Sequence, residues 1–364
     1  MKALLVLAVV LFACLPVTAA DPPPAGTPAV KQVSGPFTSG NLTVFLIHGP
    51  DAVSGLNVLT LQEAIDQKKV VVHETSEVNN LSVENTGDLP VFLQTGDIVR
   101  GGKQDRAIAM DLIVPKGARV GISSFCVEAG RWRQRGAESA VAFNKSENQV
   151  VGKDQKLAIN DARAQSEVWK EVANTQKKLA MNVGAPVADP SSPSSLQLTL
   201  ENTKVKDKLA AYEKDLADVL KGKSDVIGVA VAINGKVEGA EVYGSAALCA
   251  KLWPKLLKSA ATDALAELDT KKKFDPADGK AVETFLAEAV KGSAKDVEPA
   301  ASASRGQQRG EAQAANQAPA APPATPITSP TVRIVRYDTA KSLVVECRDQ
   351  AMPAIIIHQS FIRK

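Results

Sequence analysis

The strongest constraint on this chain is a change of hydrophobic period along its length. Apolar residues first come in short runs, at 42–47, 70–73, 81–84, 91–93, 107–114 and 120–127. Turn formers separate them: Gly49-Pro50, Asn79-Asn80, Thr86-Gly87-Asp88 and Pro115-Lys116-Gly117. Runs so short and so punctuated predict strands. Farther on the spacing becomes helical. Val205, Leu209, Tyr212, Leu216 and Val219 recur every three or four residues and define one apolar face. Residues 162–181 form a second helix, with Val168 and Val172 on one side. Residues 245–268 form a third, with Leu248, Leu252 and Leu256 in register and a kink at Pro254, and residues 284–290 close a fourth. Between the helices, residues 226–233 and 236–243 flank Asn234-Gly235, the positive-φ pair of a two-residue hairpin turn. Together these patterns predict an α+β fold: a mixed, largely antiparallel sheet from the first half, helices and a β-hairpin from the second, in one large domain.

Composition divides the chain further. Residues 1–20 join one lysine, a short apolar run and small residues, the pattern of a secretory signal peptide cleaved near Ala20. The run is too short for a mature membrane span, and no later stretch is suited to one. The expected location is secreted or periplasmic; a lipoprotein attached through Cys14 is the weaker reading. Residues 21–39 read as a flexible lead, 40–292 as the folded domain and 293–330 as an Ala/Pro-rich linker. Residues 331–364 are strand-like again. Too few to stand alone, these strands either pair back onto the main domain or meet a partner.

The charge balance, 43 basic against 40 acidic residues, excludes a nucleic-acid binder that relies on a strong positive field. Once the leader is removed, Cys126, Cys249 and Cys347 remain, and buried free thiols are expected, although one disulfide to Cys347 is possible. No CxxC or HxxxH spacing marks a metal site, and no cofactor is implied.

Two segments concentrate polar chemistry. In residues 96–106, Gly101 and Gly102 free the backbone to turn its N–H groups toward an anion, and Lys103 and Arg106 add charge. The spacing is not that of a Walker loop. The plain alternative is a glycine turn with solvated charges. In residues 125–136, a strand over 122–128 would put Cys126 and Glu128 on one face, with Arg131 and Trp132 at the turn beyond. These groups suit a pocket; equally, they suit a buried cysteine, a Glu128–Arg131 ion pair and a tryptophan plug. No histidine lies close enough in sequence to activate Cys126.

The runs GDIVRGGKQDR (96–106), SFCVEAGRW (124–132), VWKEV (168–172) and GVAVAINGKVEGAEVYGS (228–245) resemble the domain associated with ADP-ribosylglycohydrolase and rhodanese-phosphatase superfamily proteins. The resemblance spans roughly residues 41–267. It implies work near NAD or ADP-ribose metabolism, an analogy from neighbouring or fused domains that handle ADP-ribose and phosphoesters. It also implies that the two polar segments share a site. Lys103, Arg106 and Arg131 would then bind an anion, Gln104 would meet a ligand edge, and Trp132 would form a wall. Asp105 or Glu128 would supply acid–base capacity. Three functions follow, in this order: binding of an anionic, phosphate- or ADP-ribose-like small molecule; a structural or interaction module; and a hydrolase or transferase on ADP-ribosyl or phosphoester substrates.

Overall fold

The computed structural model describes residue 26 and residues 30–53, 55–297 and 331–364. The leader, the Cys14 lipid site and residues 298–330 of the linker lie outside the described residues.

The first strands are β1 (Gln32–Ser39), β2 (Leu42–His48) and β3 (Leu59–Thr60), followed by α1 (Leu61–Asp66). Next come β4 (Val70–Glu74), β5 (Asn80–Asn85), β6 (Val91–Leu93), β7 (Asp97–Gly101) and β8 (Arg106–Ile108). The first half ends with β9 (Leu112–Val114), β10 (Arg119–Cys126) and β11 (Ala142–Val150). A helical stretch follows: α2 (Lys153–Leu157), a π-helical turn (Ala158–Ala162), α3 (Gln165–Val183), α4 (Leu196–Glu201) and α5 (Thr203–Leu216). The hairpin β12 (Val226–Ile233) and β13 (Lys236–Tyr243) precedes α6 (Ala246–Ala266) and α7 (Gly279–Ala289). Last are β14 (Ser293–Asp296), β15 (Val332–Asp338), β16 (Ser342–Asp349) and β17 (Ile356–Arg363).

The strands form two main bodies of one α+β domain. β10, β5, β4, β11, β7 and β8 close into a barrel, while β3, β6 and β9 make a small sheet beside it. The remaining eight strands form one antiparallel sheet in the order β1-β2-β12-β13-β17-β16-β15-β14. Strand alternation serves two cores at once. On β2, Val44 and Leu46 join the core shared with the barrel and α6, while Phe45 and Ile47 face the core around α7. Helix α6 is central and buried over most of its circumference, with Ala247, Lys251 and Pro254 exposed along one line, so its apolar face is broad. It runs on through Pro254.

The hairpin forms as its residues predict, with Asn234 and Gly235 at φ 52° and 79°. Three expectations are corrected. Residues 32–39 are not part of a flexible lead; they pair with β2 as an edge strand, because backbone pairing overrides their Gly-Pro-Ser composition. The linker starts later than residue 293, since β14 pairs with β15. The single run 107–114 is two strands, β8 and β9, because Met110 and Asp111 carry the chain from the barrel to the small sheet.

The C-terminal strands pair back, and they do so in the middle of the sheet. β17 lies between β13 and β16, its Phe361 opposite Ala240 on one side and Val344 on the other. Without residues 331–364, β13 would be left as an unpaired edge. A chain ending at residue 330 is therefore expected to lose its cooperative thermal transition, followed by circular dichroism. A truncated chain that melts like the full one would contradict this topology.

Candidate functional site

The two polar segments meet at one end of the barrel. β8 pairs with β10 so that Arg106 lies opposite Cys126, and the loop after β10 then brings Glu128, Arg131 and Arg135 over the loop between β7 and β8. Asp105, Arg106 and Glu128 are fully buried, and Arg131 and Arg135 nearly so.

Glu128 stands at the centre. Its carboxylate accepts from Arg131 Nε at 2.6 Å, from the Asp105 backbone N–H at 2.9 Å, from Arg135 Nη1 at 3.2 Å and from the Ser192 hydroxyl. Asp105 is held in the same way. Arg135 grips it with two parallel bonds of 2.9 and 3.0 Å, Ser195 Oγ donates at 2.9 Å, and the Gly101 N–H donates at 3.0 Å. An ionised carboxylate has about four acceptor positions, two on each oxygen. Asp105 accepts two bonds on each, while Glu128 accepts three on Oε1 and one on Oε2. Burial works to raise Glu128, but the bonds from Arg131, Ser192 and the Asp105 N–H hold it below the ordinary carboxylate value. Burial, with the nearby Glu128 charge, pushes Asp105 up despite Arg135.

The backbone N–H groups of the glycine turn meet acceptors within the chain, that of Gly102 donating to the Ser139 carbonyl at 3.0 Å. Gly101 N–H binds Asp105, and Lys103 N–H binds Glu74 Oε2 at 3.1 Å. Gly102 has φ 54°, and a Cβ there would lie 2.4 Å from the Phe143 ring and 2.8 Å from Glu74. Only glycine fits that approach. The Gly101 and Gly102 carbonyls in turn accept from Arg131.

The outer edge is different. The Arg106 guanidinium donates to the Gln104 carbonyl at 2.7 Å, stands 3.6 Å from Glu74 and lies under the Trp132 ring at 5.7 Å. Lys103 Nζ sits 5.2 Å from the centre of the same ring, a cation–π contact. Gln104 turns inward and donates to the Glu128 carbonyl at 2.8 Å. Cys126 is a buried free thiol, as are Cys249 and Cys347. Burial pushes Cys126 up to about 11, so at neutral pH it is a thiol and not a thiolate.

Sequence reasoning missed Arg135, Glu74, Glu138, Ser192 and Ser195. Arg135 stood in the Arg131, Arg133, Arg135 series, whose spacing of two would place all three on one face, so pattern alone did not separate buried Arg131 and Arg135 from exposed Arg133. The serines lie in a Ser/Pro run that ends on the α4 N-cap, Ser195, and nothing in that run pointed to the barrel end. Among the described residues, no cluster of three or more His, Cys, Asp or Glu side chains is arranged to hold a metal.

A second buried network joins the barrel side to the large sheet. His358 on β17 bonds Asp111 through Nδ1 at 2.5 Å and Glu241 through Nε2 at 2.8 Å, and it stacks on Tyr243. Thr95 donates twice to Asp111, and Lys156 pairs with Glu241. Burial alone would lower His358, but Asp111 and Glu241 hold it up to about 9.

A family model, the ARG and Rhodanese-Phosphatase-superfamily-associated Protein domain, matches residues 31–319. The chain belongs to that family. The match takes in β1, and β15 to β17 lie beyond it. No curated protein and no solved structure matches the chain.

Two predictions follow from these networks. Glu128→Gln keeps the shape but strips the negative charge facing two guanidinium groups; it should cost about 3 kcal/mol in urea unfolding. A loss near zero would mean the hub is not structural. His358 has a folded value above the unfolded one. Its contribution is complete below about pH 6.5 and fades as pH rises through about 9, by roughly 3 kcal/mol. Thermal melts between about pH 7.5 and 9.5 should fall for the parent and stay flatter for His358→Gln. Equal slopes would remove His358 as the cause.

Proposed function

We propose that this chain is an exported structural or interaction module rather than a hydrolase, with its two polar motifs acting as an ion-pair lock at the barrel end. The supporting observation is the internal engagement of Asp105 and Glu128: each is fully buried and accepts four hydrogen bonds from within the chain. A general base needs a free acceptor position within reach of a substrate proton, and an acid needs a proton directed outward. Raised Asp105 beside lowered Glu128 would suit a catalytic pair by charge alone. Both are fully buried and already engaged, which speaks against that role. Export rests on the leader pattern of residues 1–20.

A second reading, binding of a phosphate- or ADP-ribose-like anion, is favoured by one observation. Lys103 has no carboxylate at ion-pair distance among the described residues, and Trp132 lies beside it as a flat apolar face. An anion held by Lys103 and stacked on Trp132 would leave the lock undisturbed.

The two readings separate on two variants. Under the lock reading, Arg131→Ala lowers the melting temperature by several degrees, and no ADP-ribose or inorganic phosphate binding is measured by calorimetry. Under the anion reading, the parent binds ADP-ribose, and Lys103→Ala removes that binding while melting with the parent. Turnover of a phosphoester or ADP-ribosyl substrate that is lost in Glu128→Gln, with the fold kept, would overturn both.

A further inference from the structure

The face of the large sheet beneath α6 is not completely filled. Between α6, β12, β13, β17 and the start of α2 lies a cavity of about 80 Å³, with Val229, Val231, Leu256, Ala260 and Ile362 among its walls. It leads outward past Lys153, Ile233, Glu238 and Asp263 into a wider cleft of about 330 Å³, which the same four residues also line. The inner walls are mainly apolar, while the passage between the two is charged.

The charges at the inner cavity are two lysines against three carboxylates: Lys153, Lys156, Glu238, Glu241 and Asp263. Four of them are already paired. Lys153 Nζ lies 2.7 Å from Glu238 Oε2, and Lys156 bonds Glu241, whose other oxygen takes His358. Asp263 is the exception. Among the described residues, no lysine, arginine or histidine lies at ion-pair distance from it. Its Oδ2 accepts the Lys153 backbone N–H at 2.9 Å, and no donor reaches Oδ1. Its place depends on Gly152, where a Cβ would lie 2.1 Å from Oδ1. The carboxylate therefore sits at the passage with one oxygen uncommitted.

We propose that this cleft binds a small cationic amphiphile of the primary alkylammonium class, its ammonium on Asp263 and its alkyl group between Val229, Val231, Leu256 and Ala260. An anion would meet three carboxylates and two lysines that are already neutralised. A neutral apolar molecule would strip water from Asp263 and leave it unpaired, which is costly. A cation with an apolar tail removes both penalties, since it supplies the missing charge and fills the dry walls. The site is separate from the barrel-end lock, and the proposal does not rest on it.

Burial pushes Asp263 up to about 7, so the carboxylate is mostly protonated at pH 6 and mostly ionised at pH 8. Facing it are Lys153, Asp154 and Lys156 from α2, Lys178 from α3, Lys236, Glu238 and Glu241 from β13, and Glu267 just after α6. The competent fraction thus changes by about tenfold over that interval.

The probe is n-butylamine, titrated calorimetrically into the full chain at pH 8 and pH 6, with n-butanol and butyrate as isosteres of other charge. Butylamine is expected to bind at pH 8, about tenfold more weakly at pH 6, and ahead of both isosteres. Asp263→Asn removes the charge of a half-buried side chain without changing its shape. It should melt with the parent or above it, lose the pH dependence and bind butylamine no better than butanol. Ala260→Leu keeps Asp263 and fills the apolar end, so it should weaken butylamine binding at both pH values. The proposal is overturned if butylamine gives no binding heat at pH 8, if butyrate matches it, or if Asp263→Asn binds it as the parent does.

Discussion

A charged group buried without an opposite charge destabilises a fold by several kcal/mol, and this chain buries a whole group of them at one barrel end. Asp105, Glu128 and Glu74 are therefore tolerable only where Arg106, Arg131 and Arg135 arrive to meet them. The partners come from separate places: the end of β4, the loop between β7 and β8, the loop after β10, and the Ser192–Ser195 stretch before α4. Glu128 and Asp105 each draw partners from the β7–β8 region, the loop after β10 and the serine stretch, and Glu74 ties the end of β4 to the same loop through the Lys103 N–H and Arg106. The hub thus sets the geometry of barrel closure, and it couples the glycine turn to the segment after β10 although they are distant in sequence. It also explains Gly102, which leaves room for Glu74 and Phe143, and Gln104, which ties the hub backbone to Glu128.

The same rule governs the second network. His358 sits between Asp111 and Glu241, and Lys156 completes the balance. These groups come from the barrel side, from β13, from α2 and from the last strand, so charge compensation pins β17 into the middle of the sheet. Lys255 and Asp97 make a further ion pair, between α6 and β7. Against this background Asp263 stands out. Among the described residues it is the carboxylate near the sheet-side cavity without a side-chain cation, and so the place where a ligand gains most by bringing one.

Much of the fold was legible in the residues. The β12–β13 hairpin was plain because Asn-Gly has few other uses between two apolar runs. Helices α5 and α6 were plain because their apolar spacing repeats over several turns. β1 was hidden, since Gly35-Pro36 and scattered serines resemble a loop until β2 pairs with them. β11 was hidden as well: it carries Asn, Lys and Ser where an isolated strand would show alternation, and the barrel closes through its backbone. At the candidate site, Glu128 beside Arg131 suggested an ion pair, and Cys126 a buried thiol. Whether the pair faced solvent or another pair depended on Arg135, Ser192 and Ser195, which local pattern does not connect to it.

By itself the sequence determined the class of fold, the membership of its motifs in one family, and which residue types would carry charge into the interior. These are local properties: period, turn chemistry and side-chain identity. Tertiary structure alone decided that the buried charges at the barrel end pair with one another, that the last strand enters the centre of the sheet, and that Asp263 has no side-chain cation at ion-pair distance among the described residues. Each of those outcomes depends on which distant groups come within a few ångströms, and Coulomb and hydrogen-bond energies respond to that distance and not to separation along the chain.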